Sequence, residues 1–296
     1  MTKKENKFFL LYSKNYKKLM IIPILLFLFG IISIINTVKD DGTPIYRDIS
    51  LKGGLSAIVN TDSIKTSEEV KLDLKNKFPE NSFSVSEIFE NGVKVGFILD
   101  TDTEEDIFKP YLETYFNTKF TFGDNYNSNF ISPTLSSSFF IQTIYILLVS
   151  FVLMSIVIFV YFREFVPSFA VILSALFDII VTIGFLDLFN FNISIAGIGA
   201  LLMLIGYSID TDVLLTNRLI KESGDNYFEK TYVAFKTGSL MTATTLFAGA
   251  AALVITNSEV IYEIAMILVV GLLVDFVSTW IQNVGILLWW IERKNR

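Results

Sequence analysis

Six apolar stretches, residues 19–35, 139–162, 167–186, 193–215, 238–255 and 261–291, approach or exceed the length a helix needs to cross a bilayer. The last is long enough to tilt or to extend past the hydrocarbon layer. Composition agrees: 52% of the 296 residues are hydrophobic and 18% charged, against about 25% charged in a soluble domain. The expected architecture is a polytopic α-helical membrane protein with six transmembrane helices. The first run follows Lys14, Lys17 and Lys18 but continues through Ser33–Thr37 without a small-x-small cleavage site, so an uncleaved anchor is expected.

Orientation follows from where Lys and Arg fall in the short connections. With the N-terminus cytoplasmic, fourteen lie inside: six in the leader, Arg163, four in residues 216–237, and three at the C-terminus. The opposite connections, 187–192 and 256–260, hold none. Both termini are expected inside, with residues 1–38 a basic leader and first helix. Residues 39–138, with ten basic and seventeen acidic side chains, are then extracytoplasmic, and 139–296 form a five-helix bundle.

The insertion reads as β-α-β-β-α-β, the split, ferredoxin-like α+β pattern. A strand is expected over 55–61 and a helix over 67–78 with Ser67 as N-cap. Strands over 83–89 and 93–99 are joined by Asn91-Gly92, a tight-turn dipeptide. A helix over 101–116 and a final strand within 119–131 complete it. This fold alone identifies no function.

Cysteine and histidine are absent, which excludes disulfides, thiolate catalysis, zinc–cysteine sites and imidazole chemistry. The net charge of −6 argues against nucleic acid as a partner. No calcium loop is present, and neither metal nor cofactor is expected. What stands out is ionisable groups inside the membrane, which default to functional roles: Asp178, Asp210, Asp212 and Asp275. Asp187, Glu259 and Glu263 fall near the extracytoplasmic interface, where water is expected to solvate them. Asp210 and Asp212 are about 200° apart around a helix, so they cannot face one partner. Asp275, Ser278, Thr279, Gln282 and Asn283 form a polar stripe at i, i+3, i+4, i+7, i+8. Thr242, Thr244 and Thr245 are placed by depth in the same layer as the carboxylates. Small residues on the fourth and fifth helices, Gly197, Gly199, Gly206, Gly238 and Gly249 among them, suggest that these two pack most tightly.

Specific strings now carry a resemblance. Gly206-Tyr207-Ser208-Ile209-Asp210-Thr211-Asp212, with Arg218 beyond it, resembles the fourth-helix motif of the SecF branch of the SecD/SecF protein-export family. Lys52-Gly53-Gly54 is similar to the double-glycine element of that family, and Ser132-Pro133-Thr134-Leu135 to its GP-[ST]-L element. Thr279 to Leu287, including Gln282 and Asn283, resembles the last helix of archaeal members. Thr211 stands where bacterial members carry an aspartate, and Lys236 is the base nearest to their fifth-helix arginine.

The resemblance implies a six-helix half of a transporter of the RND superfamily. It would pair with SecD and assist preproteins through the SecY translocon in the cell membrane, with membrane lipid around it, coupled to an ion (proton) gradient and without enzymatic activity. Asp210 and Asp212 lead as ion-coupling residues, Asp275 and Asp178 follow, and Arg218 is a cytoplasmic contact. A stand-alone RND-like exporter of lipid or small molecules would need two six-helix repeats or a symmetric homodimer. An intramembrane aspartyl protease built on Asp178 and Asp210 would need a glycine framing that the chain lacks.

Overall fold

A computed structural model of the chain describes residues 15–79, 81–90, 93–221, 227–256 and 258–294. Among the described residues, six helical spans are long and apolar enough to cross a membrane: Asn15–Lys39, Pro133–Phe162, Phe165–Leu188, Ile195–Ile220, Tyr227–Ile255 and Val260–Lys294. The chain runs through α1 (Ile21–Asp41), a short α2 (Ile49–Lys52), and β1 (Gly54–Asn60), α3 (Ser67–Lys77), β2 (Phe83–Glu90), β3 (Val93–Thr101), α4 (Glu105–Tyr115) and β4 (Tyr126–Ile131). It continues as α5 (Pro133–Phe162), α6 (Phe165–Leu188), α7 (Ile195–Ile220), α8 (Tyr227–Ile255) and α9 (Glu259–Val277). A π-helical segment, Ser278–Asn283, joins α9 to α10 (Val284–Lys294).

The strand order is β2-β3-β1-β4, antiparallel throughout, with Leu55 opposite Thr101 and Phe130. That is the ferredoxin-like arrangement. Leu55, Ala57 and Val59 alternate onto the face covered by Val70 and Leu74 of α3 and Phe108 and Leu112 of α4, as a half-buried strand requires. The Asn91-Gly92 turn lies outside the described residues. The cap of α3 is Thr66, not Ser67. Thr66 Oγ1 accepts from the Glu69 N–H and Glu69 Oε2 accepts from the Thr66 N–H, at 3.4 and 2.9 Å, a reciprocal capping box. The second helix starts at Glu105, not at 101, because β3 stays paired to β1 as far as Thr101.

α5 and α8 start well before their apolar stretches. α5 starts at Pro133, inside the stretch assigned to the insertion, because Ser132 caps it and Pro133 occupies its first turn. α8 starts at Tyr227, so most of the expected 216–237 loop is helical; residues 222–226 lie outside the described residues.

The tightest crossing lies elsewhere than expected. A Cβ built on Gly184 of α6 would lie 2.6 Å from the Gly30 Cα of α1, so two glycines let these helices touch backbone to backbone. Gly199 and Gly206 of α7 face open space. Gly238 of α8 meets Trp280 of the last span first and Thr211 of α7 second, and Gly249 packs on Val269 of the last span. α9 itself packs against α6, α7 and α8, which draws the small residues of its neighbours toward it.

Candidate functional site

Three helices bring one carboxylate each into the bundle interior. Asp178 of α6, Asp212 of α7 and Asp275 of α9 are 1%, 0% and 0% exposed. A buried charge is costly unless partnered, and hydroxyls and an amide supply the partners here. Asp178 Oδ2 accepts from Ser208 Oγ of α7, and Asp178 Oδ1 from Ser278 Oγ of the π segment, both at 2.6 Å. Ser174, one turn before Asp178, donates to Ser278 Oγ at 3.1 Å. Asp212 Oδ1 accepts from Thr279 Oγ1 at 2.8 Å and from Asn283 Nδ2 at 2.7 Å.

Thr279 Oγ1 also lies 3.2 Å from Asp275 Oδ1. A threonine hydroxyl has one proton to give, so Asp212 and Asp275 share a single donor. Asp212 Oδ2, Asp275 Oδ2 and Asn283 Oδ1 are buried without a hydrogen-bond partner among the described residues. No salt bridge among the described residues reaches any of the three aspartates. The layer is therefore rich in acceptors and short of donors.

The π segment is what assembles it. Ser278, Thr279, Trp280, Gln282 and Asn283 are all buried, and Ser278 and Thr279 serve different aspartates. π turns are rare and concentrate at functional sites.

The sequence candidates divide cleanly. Asp178, Asp212 and Asp275 come together; Asp210 is exposed on the opposite side of α7. Of the glycine–tyrosine–serine string, Ser208 enters the layer, while Gly206 and Tyr207 are exposed. Gln282 is 8% exposed and forms no bond to the aspartates among the described contacts. Arg218 sits half-buried in the last turn of α7. Gly53, Gly54 and Pro133 lie at the root of the sheet domain. Thr244 is exposed and Thr245 half-buried, and both donate to the Met241 carbonyl of their own helix, so neither joins the layer; Thr242 is buried. The expectation that water solvates Asp187 and Glu263 fails, because they are 5% and 7% exposed. The side chain of Glu259 lies outside the described residues. Ser174 was missed, although its i, i+4 spacing to Asp178 places both on one helix face.

Fold and site together define a polytopic membrane protein that carries a ferredoxin-like domain between its first two membrane helices and a carboxylate layer inside the bundle. The family model described as "Protein export membrane protein SecD/SecF, C-terminal" matches residues 112–293, more than half of the chain. The chain belongs to this family. It is 35% identical over 284 residues to the protein-export membrane protein SecF of Methanolacinia petrolearia, covering 95% of each chain. The SecF of Methanocaldococcus jannaschii is 34% identical over 286 residues, covering 94% of this chain and 96% of that one. Among solved structures, SecDF from Thermus thermophilus, described as a translocon-associated membrane protein, superposes with a TM-score of 0.72 over 96% of this chain. A super-membrane-facing form of SecDF gives 0.60. At 19% identity both are likenesses of fold, and this chain spans 38% and 39% of those longer chains.

Proposed function

We propose that the chain is a SecF-type subunit of a protein-export complex, and that its carboxylate layer binds the ion whose passage drives movement of the sheet domain. The observation that carries this reading is the single Thr279 hydroxyl shared by Asp212 and Asp275. Two carboxylates that compete for one hydroxyl proton favour a proton or a cation that comes and goes, and ionisable groups at this depth mark ion pathways. Asp212 leads, Asp275 and Asp178 support it, and Asp210 has no part in the layer.

A partner half is the second element of the proposal. Met203, Gly206, Tyr207 and Asp210 are exposed along one stripe of α7. A glycine-bearing stripe with an aspartate is poorly suited to lipid and well suited to close helix packing. A SecD subunit covering it would give a twelve-helix unit beside the SecY translocon. In the proposed orientation both termini are cytoplasmic and the sheet domain lies outside the cell membrane, where it would hold translocating preproteins. The names of the relatives describe a transport role rather than an enzymatic one.

The test compares export in native vesicles with and without the chain, before and after the ion gradient is collapsed. The stimulation due to the chain should vanish with the gradient. Stimulation that survives collapse contradicts the coupling.

A further inference from the structure

The bundle is tied to the stem of the sheet domain at α5, where Arg47 lies over the Phe140 ring and Gly53 meets Pro133, and at three consecutive residues where α7 begins. Ile193 pairs with the stem leading into the sheet domain. Its N–H donates to the Tyr46 carbonyl at 2.8 Å, and the Asp48 N–H donates to the Ile193 carbonyl at 3.0 Å. Ile195 N–H donates to Ser50 Oγ of α2 at 3.4 Å.

Between them, Ser194 caps α7. Its Oγ accepts from the N–H groups of Ala196 and Gly197 at 3.0 and 3.4 Å. The Ser194 N–H and Oγ–H both donate to the Glu263 carboxylate of α9, at 2.7 and 2.6 Å. Gly197 makes the approach possible, since a Cβ there would overlap Glu263 Oε1. Glu263 thus lies at the positive end of the α7 dipole, held by two short hydrogen bonds from Ser194. At 7% exposed it is sheltered from competing water.

The same two helices stay packed between, with Gly271 of α9 against Leu204 of α7, and are hydrogen-bonded again in the carboxylate layer. Asp212 lies eighteen residues beyond Ser194, about 27 Å along α7, and Asp275 twelve beyond Glu263, about 18 Å along α9. α7 and α9 are therefore joined at two levels, through Thr279 in the layer and through Glu263 at the domain end. The stem of the sheet domain is bonded to the residue next to the second joint.

We infer that Glu263 is the transmission residue of this protein. It holds the α7 N-terminus, with the Tyr46–Asp48 stem attached, to α9, and so delivers displacement in the carboxylate layer to the sheet domain. It acts through Ser194 and is a positioning residue. The inference rests on the ion-coupled reading above.

The complex in vesicles tests it, with spin labels at Ile64→Cys on the sheet domain and Leu188→Cys at the domain end of α6. Both sites are exposed, and the chain has no native cysteine. An imposed proton or sodium gradient should shift the distance between the labels. Glu263→Ala should cut that shift by at least half while gradient-driven ion movement stays within twofold. Glu263→Gln, which can still accept from the Ser194 N–H, should retain most of it. Should Glu263→Ala fail to accumulate, Ser194→Gly serves, because glycine is tolerated at an N-cap; it removes the Oγ–H bond to Glu263 together with the two cap bonds to Ser194 Oγ. An equal shift in the Glu263→Ala and Ser194→Gly chains overturns the transmission role and leaves ion coupling intact. No shift in the otherwise unsubstituted chain overturns both.

Discussion

Asn283 donates its Nδ2 hydrogen to Asp212 Oδ1 at 2.7 Å, across the contact between the π-helical segment and α7. The bond depends on the shape of the last helix. In an α-helix four residues run about 40° past a full turn, so Asp275, Thr279 and Asn283 would drift steadily around the axis. A π turn is wider, and four residues across it fall short of a full turn. The two drifts offset each other and keep these three side chains on the face that meets α7.

Asn283→Ala should therefore leave Asp212 with an unanswered acceptor and destabilise the protein by about 1–3 kcal/mol. Melting in lipid nanodiscs measures it. The effects of Asn283→Ala and Asp212→Ala should be strongly non-additive, as expected for directly bonded partners. Additive losses would mean that the bond contributes nothing.

At the root of the sheet domain Gly53 has φ +85°, and a Cβ on it would lie 2.6 Å from the Pro133 Cα. Gly42 has φ +73° with nothing within 4 Å. Gly42→Ala should cost only the left-handed backbone penalty, about 1–2 kcal/mol. Gly53→Ala adds a steric overlap worth roughly another 1–3 kcal/mol. Relative melting temperatures of the two variants check the order, and equal losses would show that the contact with Pro133 gives way freely.

Within the sheet domain, Asp73 of α3 accepts from the Tyr115 hydroxyl of α4 at 2.6 Å and from Lys65 Nζ at 3.0 Å. The Tyr115 bond first, and Lys65 second, hold the Asp73 carboxyl below its usual range. A depressed carboxylate contributes stability that is complete above its unfolded value near pH 4 and is lost as pH falls through the lower folded value. Lys65, pushed up to about 12 by the Tyr115 and Asp73 hydrogen bonds, works in the opposite direction. Its share is complete below about pH 10 and is lost as pH rises through the folded value. Asp73→Asn should flatten the acid limb of a melting-versus-pH curve; an unchanged limb would exclude this clip.

Much of this was legible in the sequence. Apolar runs locate the helices because lipid imposes a minimum length, and alternation in Leu55–Val59 locates the first strand because one sheet face is buried. The 200° between Asp210 and Asp212 already required that only one face the layer, and packing selected Asp212. Glu263 could not be read correctly, since its burial depends on the distant Ser194 and Gly197. The π turn left no sequence signal, because Ser278–Asn283 is as compatible with an α-helix. Helix pairing was also misjudged: small residues announce close packing but not the partner, and Gly30 and Gly184 found one another across the chain.

The proposed orientation predicts that Ile64→Cys reacts with an impermeant thiol reagent added to intact cells, whereas Lys221→Cys, at the other end of the bundle, reacts only after permeabilisation. Both positions are exposed. The reverse pattern would invert the topology.

Gradient-driven ion movement in vesicles containing the complex, measured for Asp212→Asn beside Asp210→Asn, tests the central claim most directly. Asparagine preserves size and hydrogen bonding while removing the ionisable group from either position. Asp212→Asn should assemble normally and lose at least nine-tenths of the ion movement, while Asp210→Asn stays within twofold of the unsubstituted chain. Undiminished movement in Asp212→Asn would contradict an ion-binding role for the carboxylate layer.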